Sequence, residues 1–205
     1  MSIALTSFRA KALASAALVA AAAGAAGLGT FGSFTSSTSA SASVGTGTVN
    51  IALGADGTAA NRLNVAATGL VPGDSVQRAV TLSNTGTQAL SAITLTSAAT
   101  TSSKLDTDAV NGLQLSISSC SVPWTEQGSS KYTYTCSGTT KSVLASRAVV
   151  GSNVALTNLG SLTGATADNL VVSLAFPAAA DNSFQNQSSV LSLTFTGMQR
   201  AAANQ

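Results

Sequence analysis

The sequence predicts an all-β protein, an antiparallel β-sandwich of the jelly-roll type that follows an N-terminal signal helix. Three observations support this prediction. Beyond residue 45, apolar residues alternate with small or polar ones in segment after segment, which is the period of a strand with one buried and one wet face. Turn-forming sequences separate these segments at short spacing. Threonine and serine fill the polar positions, and β-branched threonine suits strands.

The alternating segments run through the whole chain after the N-terminal region. They cover residues 49–53, 63–67, 76–82, 93–96, 113–117, 170–176 and 191–196. The turn sequences are Pro72-Gly73-Asp74, Asn84-Thr85-Gly86, Asn111-Gly112, Gly151-Ser152-Asn153 and Asp181-Asn182. Residues 141–150 fit a short helix best, and a strand nearly as well. Residues 106–112 (DTDAVNG) are interpreted as a polar turn, because a calcium loop would need a different spacing and a distal glutamate.

Residues 1–33 have the pattern of a secretory signal peptide. Arg9 and Lys11 precede an apolar run rich in alanine and glycine, and small residues follow it. Cleavage is predicted before Phe34, with a second candidate site before Ser43. No second apolar run follows, so we expect a secreted protein without a stable membrane span. The expected organisation is then an extended arm at 34–47, a β-sandwich domain at 48–200 and a disordered tail at 201–205.

The composition excludes several classes of function. The chain has no histidine, which excludes a Ser-His-Asp triad, a Cys-His dyad and an HExxH zinc site. Only 8% of the residues are charged and no basic run occurs, so a nucleic-acid partner is not expected. No cofactor or metal site is predicted. Cleavage before Phe34 would leave seven basic and seven acidic residues, and a net charge near zero favours self-association.

Cys120 and Cys136 are the two cysteines of the chain, and in an exported protein they predict a disulfide that staples a hairpin. Trp124, Tyr132 and Tyr134 lie between them. These aromatic residues are interpreted as packing across the hairpin. The alternative is a surface that binds polysaccharide.

The arm at 34–47 consists of Ser, Thr, Ala, Gly, Phe34 and Val44, and it carries no charge. Composition alone favours a flexible linker. The alternative is an extended segment that adds as a strand to another sheet.

The chain has three informative segments, at residues 29–53, 69–86 and 187–200. Together they resemble the TasA and camelysin family of secreted biofilm-matrix fibre proteins. The signal-peptide end and first strand of that family are similar to residues 29–34 (GTFGSF) and 45–53 (GTGTVNIAL). Its L-x-P-G-D turn, strand and N-x-G turn are similar to residues 69–86, and its closing strand is similar to residues 187–200. The segment with Cys120 and Cys136 has no counterpart in the TasA type.

This resemblance implies an exported jelly-roll-like sandwich that polymerises with copies of itself by strand addition. The implied donor is the arm segment that includes Phe34, Thr35, Ser36, Ser37, Thr38 and Val44. The further expected partners are a matrix polysaccharide or a second matrix protein. The runner-up function is a cell-surface module that binds polysaccharide. The family also carries a metallopeptidase label, but a zinc peptidase needs suitable ligands and a positioned base, so enzymatic activity is not expected without histidine.

Overall fold

The computed structural model describes residues 35–37, 49–63, 70–129 and 131–201, and for 35–37 it describes only the backbone. Several sequence predictions lie outside these residues. They are the signal peptide at 1–33, the donor-arm residues Phe34, Thr38 and Val44, the strand continuing to residue 67, and the tail beyond residue 201.

The described part of the chain contains eleven strands and two short helices. The strands are β1 (Thr35–Ser37), β2 (Ile51–Leu53), β3 (Ser75–Asn84), β4 (Leu90–Thr101), β5 (Gln114–Cys120), β6 (Thr125–Gln127), β7 (Thr133–Thr135), β8 (Thr140–Ala148), β9 (Gly151–Ala155), β10 (Thr166–Ala175) and β11 (Val190–Gln199). The helices are α1 (Lys104–Thr107) and a 3₁₀ turn (Asn182–Phe184).

The strands form two main sheets and a separate hairpin, and every ladder is antiparallel. Sheet A has the order β1-β11-β4-β9, sheet B has the order β2-β3-β10-β5-β8, and β6 pairs with β7. The predicted antiparallel β-sandwich is therefore confirmed.

One hydrophobic core lies between the two sheets. Ile93, Leu95 and Phe195 enter it from sheet A, and Leu82 and Leu170 enter it from sheet B, all with no exposed surface. These residues belong to the alternating faces that the sequence predicts as buried. Full burial of a side chain of this size contributes roughly 1.5–3 kcal/mol, so the core is the main source of stability.

Residues 141–150 do not form the short helix that the sequence favours. They lie mostly in β8, which pairs with β5. Local periodicity is ambiguous there, and the tertiary environment decides the outcome. The strand buries Val143 in the core, and Val149, which follows the strand, is buried there too.

The predicted turn at 151–153 is also wrong, because these residues open strand β9. Asn153 nevertheless has a left-handed backbone with φ of 51°, which asparagine tolerates better than most residues. The predicted polar turn at 106–112 begins inside α1. Asp106 completes a capping box with Ser103, and the Asp108 carboxylate then accepts from the backbone N–H groups of Val110 and Asn111.

Candidate assembly edge

Strand β11 lies near one side of sheet A and is covered only in part. On its inner side it pairs with β4 along its whole length. On its outer side β1 supplies three pairs, Thr35 with Met198, Ser36 with Gly197 and Ser37 with Thr196. Within the described residues, the stretch from Val190 to Phe195 therefore has no strand on its outer side.

The sequence of β11 explains why the strand is well anchored in sheet A. Leu191, Leu193 and Phe195 alternate with polar residues and pack into the core, which fixes the register of the strand. A side chain at Gly197 would approach Ile51 and Leu90 to 3.1 Å. Glycine at this position therefore allows the two sheets to approach each other beside β1.

Sheet A contains no charged residue in any of its four strands. Charged side chains are a common means of keeping a sheet edge from pairing with another chain. Strand β8, at an edge of sheet B, carries Lys141 and Arg147. Strand β11 has ten residues and no charged side chain, so it lacks this means of protection.

The other edge strands in the described residues are better protected from pairing with a strand of another chain. The carbonyl groups of Val143 and Ser142 in β8 already accept hydrogen bonds from Thr157 N–H and the Asn158 side chain, at 3.1 and 2.8 Å. Strand β2 has three residues and β9 has five, and short strands offer few backbone groups to a partner.

Three residues of the predicted donor arm lie beside this edge in the structure. Thr35, Ser36 and Ser37 belong to the predicted donor, and they pair with β11 of their own chain. Sequence reasoning named the donor but did not name an acceptor. A signal for this strand was present in the sequence, because residues 190–199 carry no charge and their apolar residues Leu191, Leu193 and Phe195 alternate with polar ones.

The predicted disulfide joins Cys120 to Cys136, whose Cα atoms lie 5.8 Å apart. It closes the base of the β6–β7 hairpin. Trp124, Tyr132 and Tyr134 are half-buried and contact groups of their own chain. The Trp124 indole N–H donates to the Asn169 carbonyl oxygen at 2.9 Å, which joins the hairpin to β10.

An ion pair joins the hairpin to the N-terminal part of the domain. The Arg62 guanidinium donates to both oxygens of Glu126, at 2.8 and 3.1 Å, and lies 4.9 Å from the centre of the Tyr132 ring. The hydrogen bond from Arg62 lowers the pKa of Glu126 against the opposing effect of burial, and the Tyr134 hydroxyl adds to the lowering. Burial, followed by the bond to Glu126, raises the pKa of Tyr134 to about 12.

Most of the acidic residues serve as caps or turn formers. All seven lie in the described part of the chain. Asp106 accepts from the hydroxyls of Ser102 and Ser189 and from the Ser103 backbone. Together these bonds outweigh its burial and lower its pKa. Three other carboxylates also accept hydrogen bonds from backbone N–H groups: Asp74 from Val71, Asp168 from Gly160 and Ser161, and Asp181 from Ser183.

Within the described residues, the fold defines a class of protein, an antiparallel β-sandwich with few charges, in which the outer side of the long strand β11 pairs with only three residues. The chain belongs to the camelysin metallo-endopeptidase family, whose model matches residues 9–204. A search of curated proteins gave no match. Among the described residues, no helix has the length and apolar character needed to cross a membrane.

The residues of this chain do not fit the metal that the family description implies. A catalytic zinc is held by histidine, carboxylate or thiolate ligands beside an open position. The chain has no histidine, and both cysteines are in the disulfide. Within the described residues, which include every carboxylate side chain, no three such groups come together. No catalytic step through a metal follows from this site.

Proposed function

We propose that this protein is a secreted structural subunit of an extracellular matrix, and that the arm of one copy pairs with β11 of the next to form a fibre. The β1–β11 ladder is the observation that supports this proposal. It indicates that the arm sequence can pair with this edge, in a defined antiparallel register. Between copies, the same bonds would join two chains.

The register favours a longer contact than β1 alone. Each residue further along the arm would pair one position earlier in β11, because the ladder is antiparallel. An arm that ends at Val44 would then reach Ser189, which immediately precedes β11. The proposed donor and the proposed acceptor therefore match in length.

Backbone pairing supports this contact more than side-chain pockets do. Strand addition takes its affinity from main-chain hydrogen bonds, and neither the arm nor sheet A has a charge that would repel a copy. The bonds within one chain and between two chains are of the same kind, as in domain swapping. Protein concentration should therefore control the balance between pairing within one chain and pairing between two chains.

Export and the lack of peptidase activity belong to the same proposal. Export is supported by the signal-peptide pattern of residues 1–33. A structural role without catalysis is supported by the carboxylates, most of which cap helices, close turns or bind Arg62.

A peptide-competition experiment tests the assembly. The mature chain from Phe34 is purified and imaged by electron microscopy, alone and with an excess of a synthetic peptide of residues 34–44. The matched control peptide has proline in place of Ser36 and Ala40, because proline removes backbone donors. We expect fibres that the first peptide suppresses and the second does not. Monomers at every concentration, or fibres unaffected by deleting residues 34–44, would overturn the proposal.

A further inference from the structure

Residues 54–62, which we call the strap, close the outer edge of β3 in sheet B. Gly54 N–H donates to the Thr81 carbonyl at 2.9 Å, Thr81 N–H donates to the Ala60 carbonyl at 2.7 Å, and Arg62 N–H donates to the Ala79 carbonyl at 2.8 Å. The strap thus occupies backbone groups of β3 that a neighbouring strand would otherwise use. It continues the cover that β2 provides at residues 82–84.

The strap is weakly built in itself. It forms no regular strand, and residues 55–59 are exposed. Its internal backbone bonds are turn contacts, such as that from the Asn61 N–H to the Thr58 carbonyl at 3.0 Å, and the Asn61 side chain also donates to the Gly54 carbonyl at 3.2 Å. It is also tightly folded, since a Cβ on Gly54 would lie 2.4 Å from the Ala60 carbonyl oxygen. Segments with few buried apolar contacts open at low free energy.

The hairpin holds the end of the strap from outside the sheet. Glu126 accepts both hydrogen bonds from Arg62 and a third from the Tyr134 hydroxyl at 2.8 Å. The side chains of the ion pair are only 20% and 15% exposed, and paired charge-assisted bonds are the strong kind. The ring of Tyr132 adds a cation–π contact with Arg62.

The disulfide in turn fixes the hairpin. Strands β6 and β7 have three residues each, and an isolated two-stranded hairpin is marginal in water. The bond between Cys120, at the end of β5, and Cys136 joins the hairpin to sheet B. The connection therefore runs from the disulfide to Glu126, then to Arg62, and then to the edge of β3.

We propose that the stapled hairpin is a redox-dependent clamp that keeps the edge of β3 closed, and that the reduced chain offers this edge to an extended strand of a second copy. A thiol reductant opens the clamp: it passes two electrons and two protons to the cystine, which becomes two thiols, while two reductant thiols become a disulfide. Ala79 and Thr81 then expose the backbone groups that the strap had occupied. The clamp itself does not depend on the proposed fibre function; its effect on assembly does.

Hydrogen exchange on dilute, unassembled protein tests the clamp. Reduction acts at a single place, because the chain has one disulfide and no other cysteine. We expect amide exchange in residues 54–62 and 79–81 to rise about tenfold on reduction and in Glu126→Gln, which weakens the hold on Arg62 with the disulfide intact. Asp181→Asn, which removes an exposed carboxylate near Lys104, is the matched control and should leave these segments unchanged.

Two results would overturn the clamp. One is exchange in the strap that reduction and Glu126→Gln leave unchanged. The other is an equal rise in β4 and β11, because that would indicate general destabilisation and not a local opening. If the reduced chain unfolds, Glu126→Gln still tests the clamp, because this variant keeps the disulfide.

The effect on assembly is measured separately by electron microscopy. We expect oxidised protein to give single fibres, and reduced protein and Glu126→Gln to give laterally joined or branched ones. Identical fibres in all three samples would refute pairing between copies at the edge of β3. The hydrogen-exchange test of the clamp would not be affected. If oxidised protein forms no fibres at all, the proposed function fails, and the clamp is still judged by exchange.

Discussion

Replacing both Cys120 and Cys136 with alanine should lower the free energy of unfolding by about 3 kcal/mol. The cysteines are 16 positions apart, and in the chain-entropy model a closed loop of this size restricts the unfolded chain by about that amount at 25 °C. For a domain of this length, the loss corresponds to a fall of roughly 6–12 °C in Tm. The structure itself should persist, since the core between the sheets does not depend on the hairpin.

Urea unfolding followed by far-UV circular dichroism measures this loss, because the signal reports the sheets. The fluorescence of Trp124 provides a second probe, placed in the hairpin itself. We expect a lower urea midpoint in the variant and a similar loss when the native chain is unfolded in the presence of a reductant. A loss below about 1 kcal/mol would refute the loop-entropy reasoning.

Three further predictions concern other parts of the fold. Ala165→Gly should raise stability by about 1 kcal/mol in thermal unfolding, because Ala165 has φ of 57°, where an alanine side chain is strained; lower stability would contradict this. The pKa of Asp106 is lower in the folded chain than in the unfolded one, so its contribution to the free energy of unfolding is present above the unfolded pKa and is lost as the pH falls through the folded pKa. The Tm should therefore be nearly constant from pH 5 to 8, because no histidine titrates there. Below about pH 4 the Tm should fall, and it should fall less steeply in Asp106→Asn. The pure protein should not cleave casein, and chelator-sensitive cleavage that persists through repeated purification would contradict the absence of a metal site.

Much of the fold follows from local pattern in the sequence. The alternation at residues 93–96, 113–117, 170–176 and 191–196 predicts strands that the structure contains, and it also predicts which face is buried. The two cysteines predict the disulfide. These features are local, so one sequence contains the information.

The remainder depends on contacts between distant residues. Residues 141–150 form a strand because β5 supplies a partner and the core accepts Val143. The ion pair between Arg62 and Glu126 joins residues 64 positions apart, and nothing in either local sequence indicates it. The pairing of residues 35–37 with β11 likewise joins the two ends of the chain. Such partners require the sheet order, which a single sequence does not provide.

Cross-linking between two variants that each carry one added cysteine beside the native disulfide tests the proposed assembly most directly. Ser37→Cys and Thr196→Cys are made in separate chains, mixed, allowed to assemble and oxidised; Ser37 and Thr196 are partners in the β1–β11 ladder. Because each chain carries only one added cysteine, a bond between positions 37 and 196 must join two molecules. Thr94→Cys, on the inner neighbour β4, replaces Thr196→Cys in the control. We predict dimers linked 37 to 196 that accumulate with fibres and are rare in the control. Fibres without this link, or with equal linkage to position 94, would contradict assembly through the edge of β11.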